Sequence, residues 1–456
     1  MPCKRLAFML THRLRLGGRW RSPYHQLAYE LGAPKHPSTV RLLLDYGFVT
    51  RASELLAQNP SLSTPFVQAK LAFLTGRPDL ARTRLQEALE YAPAYSKELQ
   101  RVIGLLTRLA PDSAASWARR NNRPRLARQI DAAAGRDIPF APPDPCPPQG
   151  DEHLLMANAS ERPETKLAHL NAYFREMGLD SASLVDGQHP FSINSLLASA
   201  GARECERDAR VSVVMTVYNG QAYVRSAALS VLLQRGVNVE LIIVDDASTD
   251  RTWRIISELG REHPERVICR KLPRNVGAYK ARNIALDLCS SDYVAFQDAD
   301  DWSHPQRLAR AVAWLERSPR RIAATCRYVR LDTEARFHSP AIWPLRQWSP
   351  NTLVFRRQPV IDTLGGFDEV RAGADTEYFE RMRLHFGDAR IAFFTEVMLV
   401  AMSLPGSLMH SDATGTDGTG YSAARVSYRE RRSEEFLRAI HRGEVMRLPL
   451  RTLQEP

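Results

Sequence analysis

The chain has 456 residues, 44% hydrophobic and 25% charged; this excludes a disordered chain and is too long for one ordinary core, so two or three domains are expected. The formal charge of +11 raises nucleic acid or an anionic membrane as partners, but only 7 of the 62 basic residues are lysine and the arginines are spread along the whole chain. A generally basic surface explains that balance as well, and no basic stripe studded with aromatics marks a nucleic-acid module.

The first element is a basic stretch. Lys4, Arg5, Arg13, Arg15, Arg19 and Arg21 precede the first acid, Glu30, with Leu6, Leu10 and Leu14 at helical spacing among them. Such a stretch suits a helix resting on a membrane surface, or an ordinary basic helix. Arginines interrupt its apolar run and no small-residue cleavage site follows, which argues against a secretory signal. No uninterrupted apolar run along the chain is long enough to span a bilayer. The six cysteines (3, 146, 205, 269, 289, 326) form no Cys-x-x-Cys pair, so free thiols in a reducing, cytoplasmic compartment are expected.

Residues from about 38 to 136 read as short paired helices. Gly76, Ala81, Ala88 and Pro93 follow the spacing of small residues and a closing proline in the second half of a tetratricopeptide repeat. The phrase Gly76 to Ala81 is echoed at Asn122 to Ala127 and more loosely at Gly47 to Ala52, so the repeats are degenerate. Such an array binds a protein partner or docks on its neighbour domain. Residues 1–138 are therefore expected to be an all-α helical-repeat domain. Six of the ten residues from Pro139 to Pro148 are proline, a stiff extended linker, and a capping helix follows around Glu164 to Met177. These make up residues 139–209.

From Arg210 the pattern changes. Val211–Val217, Leu241–Val244 and Tyr293–Phe296 are short, nearly continuous apolar runs, as in parallel strands buried on both faces. Amphipathic stretches at Ala222–Gln234 and Thr249–Leu259 lie between them. This β-α-β-α-β order predicts an α/β, doubly wound, mostly parallel sheet over 210–435, with a tail at 436–456. The run from Ile391 to Leu404, broken by Glu396, reads as a buried strand or core segment. Ligands in such sheets sit at the carboxyl ends of the strands, where the polar motifs fall.

At those ends, Tyr218-Asn219 offers an aromatic face and an amide for a base, and Asp245-Asp246 offers acceptors for a uracil N–H and ribose hydroxyls. Ser248 to Asp250 are explained as helix caps, which leaves the two carboxylates unexplained. Lys280 and Arg282 open a helix and suit a diphosphate, or form a basic surface turn. Asp298 and Asp300, two apart, would converge on one hard divalent cation that also binds phosphate oxygens. Asp375 shares a helical face with Phe379, Met382 and Phe386, which makes it a buried cap or a carboxylate aimed into a cleft, and a candidate general base. Glu377 lies about 200° around that helix and points elsewhere. His410 would complete the metal shell or touch the diphosphate; the alternative is an exposed loop histidine. Asp412 to Gly420, rich in glycine and threonine, reads as a loop ordered by donor binding.

Together, Val211 to Asn219, Asp245 to Asp250, Asn275 to Asn283, Asp298 to Asp301, and Gly365-Gly366-Phe367-Asp368-Glu369 leading to Ala374-Asp375-Thr376-Glu377 resemble the family 2 glycosyltransferases of the GT-A fold. The resemblance spans residue 210 to about 435. It implies inverting transfer of a sugar from a nucleotide diphosphate, usually UDP, with Mn²⁺ or Mg²⁺, to a glycan or lipid-linked acceptor. Carried across, it implies that Asp245 and Asp246 hold the nucleoside, that Arg282 lies near the nucleotide, that Asp298 and Asp300 bracket the metal, and that Asp375 is the base. Thr216 stands where many members have proline, and Ala374 replaces an acid that often precedes the base, which leaves Glu377 as a rival for that role. A binding or scaffold protein with an inactive transferase half is the alternative function. A nucleotidyltransferase would need a glycine-rich basic loop after the first strand, where this chain has Tyr218-Asn219-Gly220-Gln221. By analogy the pathway is synthesis of a bacterial surface polysaccharide or lipopolysaccharide, at the inner face of the membrane.

Overall fold

The computed structural model describes residues 15–16, 19–20, 26–27, 37–92, 96–136, 147–185, 190–198, 208–405 and 421–450. The basic helix expected through Leu6, Leu10 and Leu14, most of the proline-rich linker, His410 and the loop from Asp412 to Gly420 lie outside them. Arg15–Leu16 (β1) and Arg19–Trp20 (β2) pair as two antiparallel strands, so the helical reading does not extend to those arginines.

Proline starts most helices of the N-terminal part, because a first-turn residue needs no N–H donor. The helices are α1 (Pro37–Asp45), α2 (Val49–Gln58), α3 (Pro65–Leu74), α4 (Pro78–Tyr91), α5 (Lys97–Leu109), α6 (Pro111–Arg120) and α7 (Pro124–Ala133). Small residues let neighbours approach: Ala69 and Ala88 share a core with Leu85 and Leu106, and Ala81 shares one with Val67 and Phe73. Two further helices, α8 (Glu152–Asn158) and α9 (Pro163–Glu176), and the hairpin β3 (Ala182–Leu184) with β4 (Leu196–Ala198) follow. Leu154, Leu170, Tyr173 and Phe174 from this segment share a core with Trp302, Val329 and Val400 of the main sheet, so it covers that sheet.

The main sheet contains β5 (Arg210–Val217), β6 (Asn238–Asp245), β7 (Val267–Lys271), β8 (Tyr293–Asp298), β9 (Asp301–Ser303), β10 (Ala323–Asp332), β11 (Phe337–His338), β12 (Gln347–Trp348), β13 (Val354–Arg356) and β14 (Ile391–Ser403). Its order is β7-β6-β5-β8-β13-β10-β14-β9, with β11 and β12 paired to β10. The first four strands are parallel. Beyond β8 the sheet is mixed: β13 runs antiparallel to both β8 and β10, and β14 is parallel to β10 but antiparallel to β9. Val211, Val213 and Met215 of β5 enter one core and Val214 the opposite one, the two-faced burial expected of continuous apolar strands. The helices α10 (Val224–Leu232), α11 (Thr252–Glu262), α12 (Ala278–Asp287), α13 (Arg307–Glu316), α14 (Arg357–Leu364) and α15 (Ala374–Phe386) connect the strands.

A final helix, α16 (Ala423–Arg442), runs without interruption across residue 435. It joins the two halves. Phe436 and Leu437 of α16 and Leu384 of α15 pack with Val40, Leu43, Phe48 and Val67 of the N-terminal helices. Around this apolar contact, Thr50 donates from its N–H and hydroxyl to Glu430 at 2.7 and 3.0 Å, and Ser433 donates to the Tyr46 carbonyl at 2.7 Å. The helical array thus docks on its neighbour domain. Cys269, Cys289 and Cys326 are free thiols. No helix among the described residues is long and apolar enough to cross a membrane.

Candidate functional site

The site lies at the carboxyl ends of β5, β6 and β8. The register places Val217 beside Asp245 and Thr216 beside Asp298, so motifs far apart in sequence share one rim. Past the strands, the backbone turns through left-handed conformations at Asn219 (φ 52°) and Ala247 (φ 63°). For alanine that conformation costs free energy and persists only when neighbours enforce it. The neighbours here are reciprocal bonds: Asn219 N–H donates to the Ser248 hydroxyl at 2.8 Å, and Asn219 Oδ1 accepts from Thr249 N–H at 2.9 Å. Tyr218 beside them is 52% exposed, leaving its ring open to a ligand.

Asp245 is fully buried, and its Oδ1 accepts from Ser248 N–H at 3.1 Å. Its Oδ2 is buried without a partner, an orphan acceptor at the strand end. Asp246 is committed inside the protein: its two oxygens accept from Val276 N–H at 2.7 Å and Gly277 N–H at 2.9 Å. It therefore shapes the turn into α12, where Gly277 (φ 89°) adopts a conformation that only glycine takes readily.

Along α12 the two cations diverge. Lys280 is half-exposed and lies 3.8 Å from Glu369. Arg282 is buried, and its guanidinium packs against the rings of Tyr279, Phe296 and Phe367 at 5.6, 5.6 and 6.0 Å. It donates to Asp298 Oδ1 at 2.6 Å and to Asn351 Oδ1 at 3.0 Å, while Asn351 donates to Asp298 Oδ2 at 2.6 Å. Burial opposes the charge on Arg282, and Asp298, Tyr279 and Asp375 together more than restore it, so its pKa lies above the ordinary arginine value.

Asp300 and Asp301 follow. Burial, then repulsion from Asp298, pushes the Asp300 carboxyl up to about 7. Burial and the charges of Asp300 and Asp298 hold Asp301 well above the carboxylate range. Crowded acids of this kind are relieved by a cation. Among the described residues no three His, Cys, Asp or Glu side chains form a ready-made metal centre. Two carboxylates still suffice for an ion that takes its remaining ligands from phosphate and water.

Asp375 and Glu377 sit in the first turn of α15 with different surroundings. Asp375 is partly exposed, and its Oδ1 accepts from the Tyr279 hydroxyl at 3.0 Å and from Thr376 N–H at 2.8 Å. The Tyr279 hydroxyl in turn accepts from Gly373 N–H at 3.2 Å. Glu377 is buried in a bidentate pair with Arg381 at 2.8 and 3.0 Å, and Arg432 of α16 donates to it at 3.3 Å. The structure thus brings Asp298, Arg282, Tyr279 and Asp375 into one connected group and leaves Glu377 outside it. Tyr279 and Asn351 are additions to the sequence reading. Tyr279 stands inside the Asn275–Asn283 segment one turn from Arg282, a findable signal; Asn351 sits in a short 3₁₀ turn with none.

In an α/β sheet of this kind ligands bind in the crevice at the carboxyl ends of the parallel strands, where these carboxylates lie. Residues 212–379 match the sequence model described as glycosyl transferase family 2. Over this segment, rather more than a third of the chain, the protein is similar to the family 2 glycosyltransferases. An uncharacterized glycosyltransferase of Haemophilus influenzae is 36% identical over 105 residues, 23% of this chain and 42% of that protein. The UDP-Glc:α-D-GlcNAc-diphosphoundecaprenol β-1,3-glucosyltransferase WfaP of Escherichia coli is 36% identical over 106 residues, 23% of this chain and 41% of that protein. The chain thus spans about two fifths of the length of these curated relatives. Among solved structures, Staphylococcus aureus TarS 1–349 in complex with UDP-GlcNAc matches with a TM-score of 0.36 at 20% identity, covering 43% of this chain and 60% of that one. The Pyrobaculum calidifontis mannosyltransferase PcManGT in complex with GDP-Man and Mn²⁺ matches with a TM-score of 0.35 at 20% identity, covering 46% of this chain and 61% of that one.

Proposed function

We propose that the protein is an inverting, metal-dependent glycosyltransferase that moves a sugar from a nucleotide diphosphate, UDP above all, to a hydroxyl of a glycan or lipid-linked acceptor. The observation that carries this reading is the connected group of Asp298, Arg282, Tyr279 and Asp375 at the strand ends. In it, Tyr218 and Asn219 receive the base and the orphan oxygen of Asp245 accepts a ring N–H. Thr216 lies under the nucleotide, and Asp246 holds the turn that presents Lys280 and Arg282. Asp298 and Asp300 would hold Mn²⁺ or Mg²⁺, which neutralises charge on a departing diphosphate. His410, outside the described residues, stands as a further candidate ligand.

Asp375 acts as base. It takes the proton of the acceptor hydroxyl, whose oxygen bonds to the anomeric carbon as the bond from that carbon to the diphosphate breaks, and the electron pair leaves with the nucleotide. Attack from the opposite face inverts the configuration. Tyr279 holds Asp375 Oδ1 and directs the other oxygen at the acceptor. The E. coli relative's name, a transferase from UDP-Glc to a diphosphoundecaprenol-linked sugar, supports a UDP donor and a lipid-linked acceptor. Surface polysaccharide or lipopolysaccharide synthesis at the inner face of the membrane fits that chemistry.

A thermal-shift panel of UDP, GDP and their sugars, with and without Mn²⁺, tests the donor site on wild type and Asp300→Ala. A ligand in hundredfold excess over its Kd stabilises by about 2.7 kcal/mol. A Mn²⁺-dependent shift for one nucleotide, reduced in Asp300→Ala, is expected. No shift with any nucleotide would hand the function to the helical array as a scaffold.

A further inference from the structure

Four strands of the mixed half of the sheet line up one residue each beside the carboxylate cluster. Asp301 of β9 pairs with Ala401 of β14, Ala401 with Arg330 of β10, and Arg330 with His338 of β11. Residues directly opposite one another project from the same face of a sheet. The reverse face is accounted for: Trp302, Val400 and Val329, the next residues along or back, all enter the apolar core under α9. The row Asp301–Ala401–Arg330–His338 therefore faces the other way. Asp300 is anchored at the same end, its carbonyl accepting from Met402 N–H at 3.4 Å.

Arg330 is the unusual member of the row. Its Nε is buried without a partner, and the one hydrogen bond of its side chain among the described residues is a long 3.5 Å contact from Nη2 to the Tyr328 hydroxyl. Its guanidinium lies 5.5 Å from the centre of the Tyr328 ring, and this cation–π attraction spends no further N–H group beyond that one long contact. Ala401, between Arg330 and Asp301 in the row, offers only a methyl and no polar partner to either. The charge of Arg330 still reaches the cluster, drawing Asp300 and Asp301 down against the push of burial. A guanidinium with unspent donors beside carboxylates that attract a cation is suited to a doubly charged oxyanion that arrives with that cation.

We infer that Arg330, steadied by Tyr328 and flanked by His338, is a phosphate-binding residue on the far side of the carboxylate cluster from Arg282. The inference rests on the donor-site reading above for its neighbour, but on the β10–β14–β9 row for its own geometry. Two sources supply a phosphate there: the donor's diphosphate, or a diphosphate on the acceptor.

Calorimetric titration of wild type, Arg330→Ala, Arg330→Lys and Tyr328→Phe separates them. UDP and UMP with Mn²⁺ form one arm (GDP and GMP if guanosine is selected). Geranyl diphosphate added to nucleotide-saturated protein forms the other. If the donor is the source, Arg330→Ala weakens UDP by about tenfold to a hundredfold, as for loss of a charge-assisted hydrogen bond, and leaves UMP within about twofold. If the acceptor is the source, UDP is unchanged and geranyl diphosphate binding is lost. Arg330→Lys keeps the charge without the fork and falls between. Unchanged UMP binding shows that each variant is folded. Unaltered affinity for both diphosphates overturns the assignment while leaving the donor site standing. A wild-type protein that binds geranyl diphosphate and no nucleotide overturns the donor-site reading instead.

Discussion

The Tyr279 hydroxyl donates a 3.0 Å hydrogen bond to Oδ1 of Asp375, tying the helix that carries Arg282 to the helix that carries the proposed base. Two residues further along, Glu377 points into the protein and is gripped by Arg381 and Arg432. The two acids of this turn therefore differ in setting: one is partly exposed and bonded to Tyr279, the other fixes α15 against α16.

Glu377→Gln should cost stability. It leaves Arg381, which is fully buried, without its anionic partner. Breaking a buried pair in this way costs about 3–5 kcal/mol. Urea unfolding followed by circular dichroism measures it; a variant as stable as wild type would remove the structural role given to Glu377.

The two halves should loosen together. Phe436 is 1% exposed between α15 and the N-terminal helices. Phe436→Ala should lose about 3–5 kcal/mol through the cavity it leaves. Hydrogen exchange should then rise in both 37–45 and 374–386. A rise confined to 37–45 would mean that the helical array is an independent unit resting on the sheet domain.

Acid should weaken the fold through His304. Burial lowers its pKa from 6.5 to about 4, and the ring is fully buried against Phe174 and Trp302. Its Nε2 donates to the Asp180 carbonyl at 2.9 Å and its Nδ1 accepts from Gln306 N–H at 3.2 Å, so the neutral ring is satisfied on both sides. The unfolded chain binds a proton below about pH 6.5 that the folded chain refuses until about pH 4. Above this window His304 carries no penalty. Within it stability should fall as pH falls, by about 3 kcal/mol across the whole range. Melting curves at pH 7 and pH 5 for wild type and His304→Gln check this, with a smaller loss expected for the variant; equal losses would contradict it.

The parallel half of the sheet was legible because Val211–Val217, Leu241–Val244 and Tyr293–Phe296 are buried on both faces and carry polar residues at one end. Of the mixed half only the run that forms β14 could be read as a candidate strand; its other strands, and the edge strand β7 of the parallel half, could not. β13 is three residues long and β7 has two exposed cations, so neither shows a period that sequence alone resolves. The contrast between Asp375 and Glu377 followed from helical geometry, since 200° separates them on any α-helix. The engagement of Asp246 by Val276 and Gly277 could not be read, because backbone donors leave no mark on residue identity. Arg330 was hidden for a related reason: its setting arises from the register of four strands.

The most direct measurement is the rate at which wild type, Asp375→Asn and Glu377→Gln release nucleotide diphosphate from the sugar donor that stabilises the wild type most. Asp375→Asn should release it about 10²–10⁴-fold more slowly, the range for loss of a general base, with nucleotide affinity unchanged. Glu377→Gln, assayed below its melting temperature, should stay within about tenfold of wild type, since no step of the chemistry is assigned to it. Full activity in Asp375→Asn, with loss in a folded Glu377→Gln, would contradict the account.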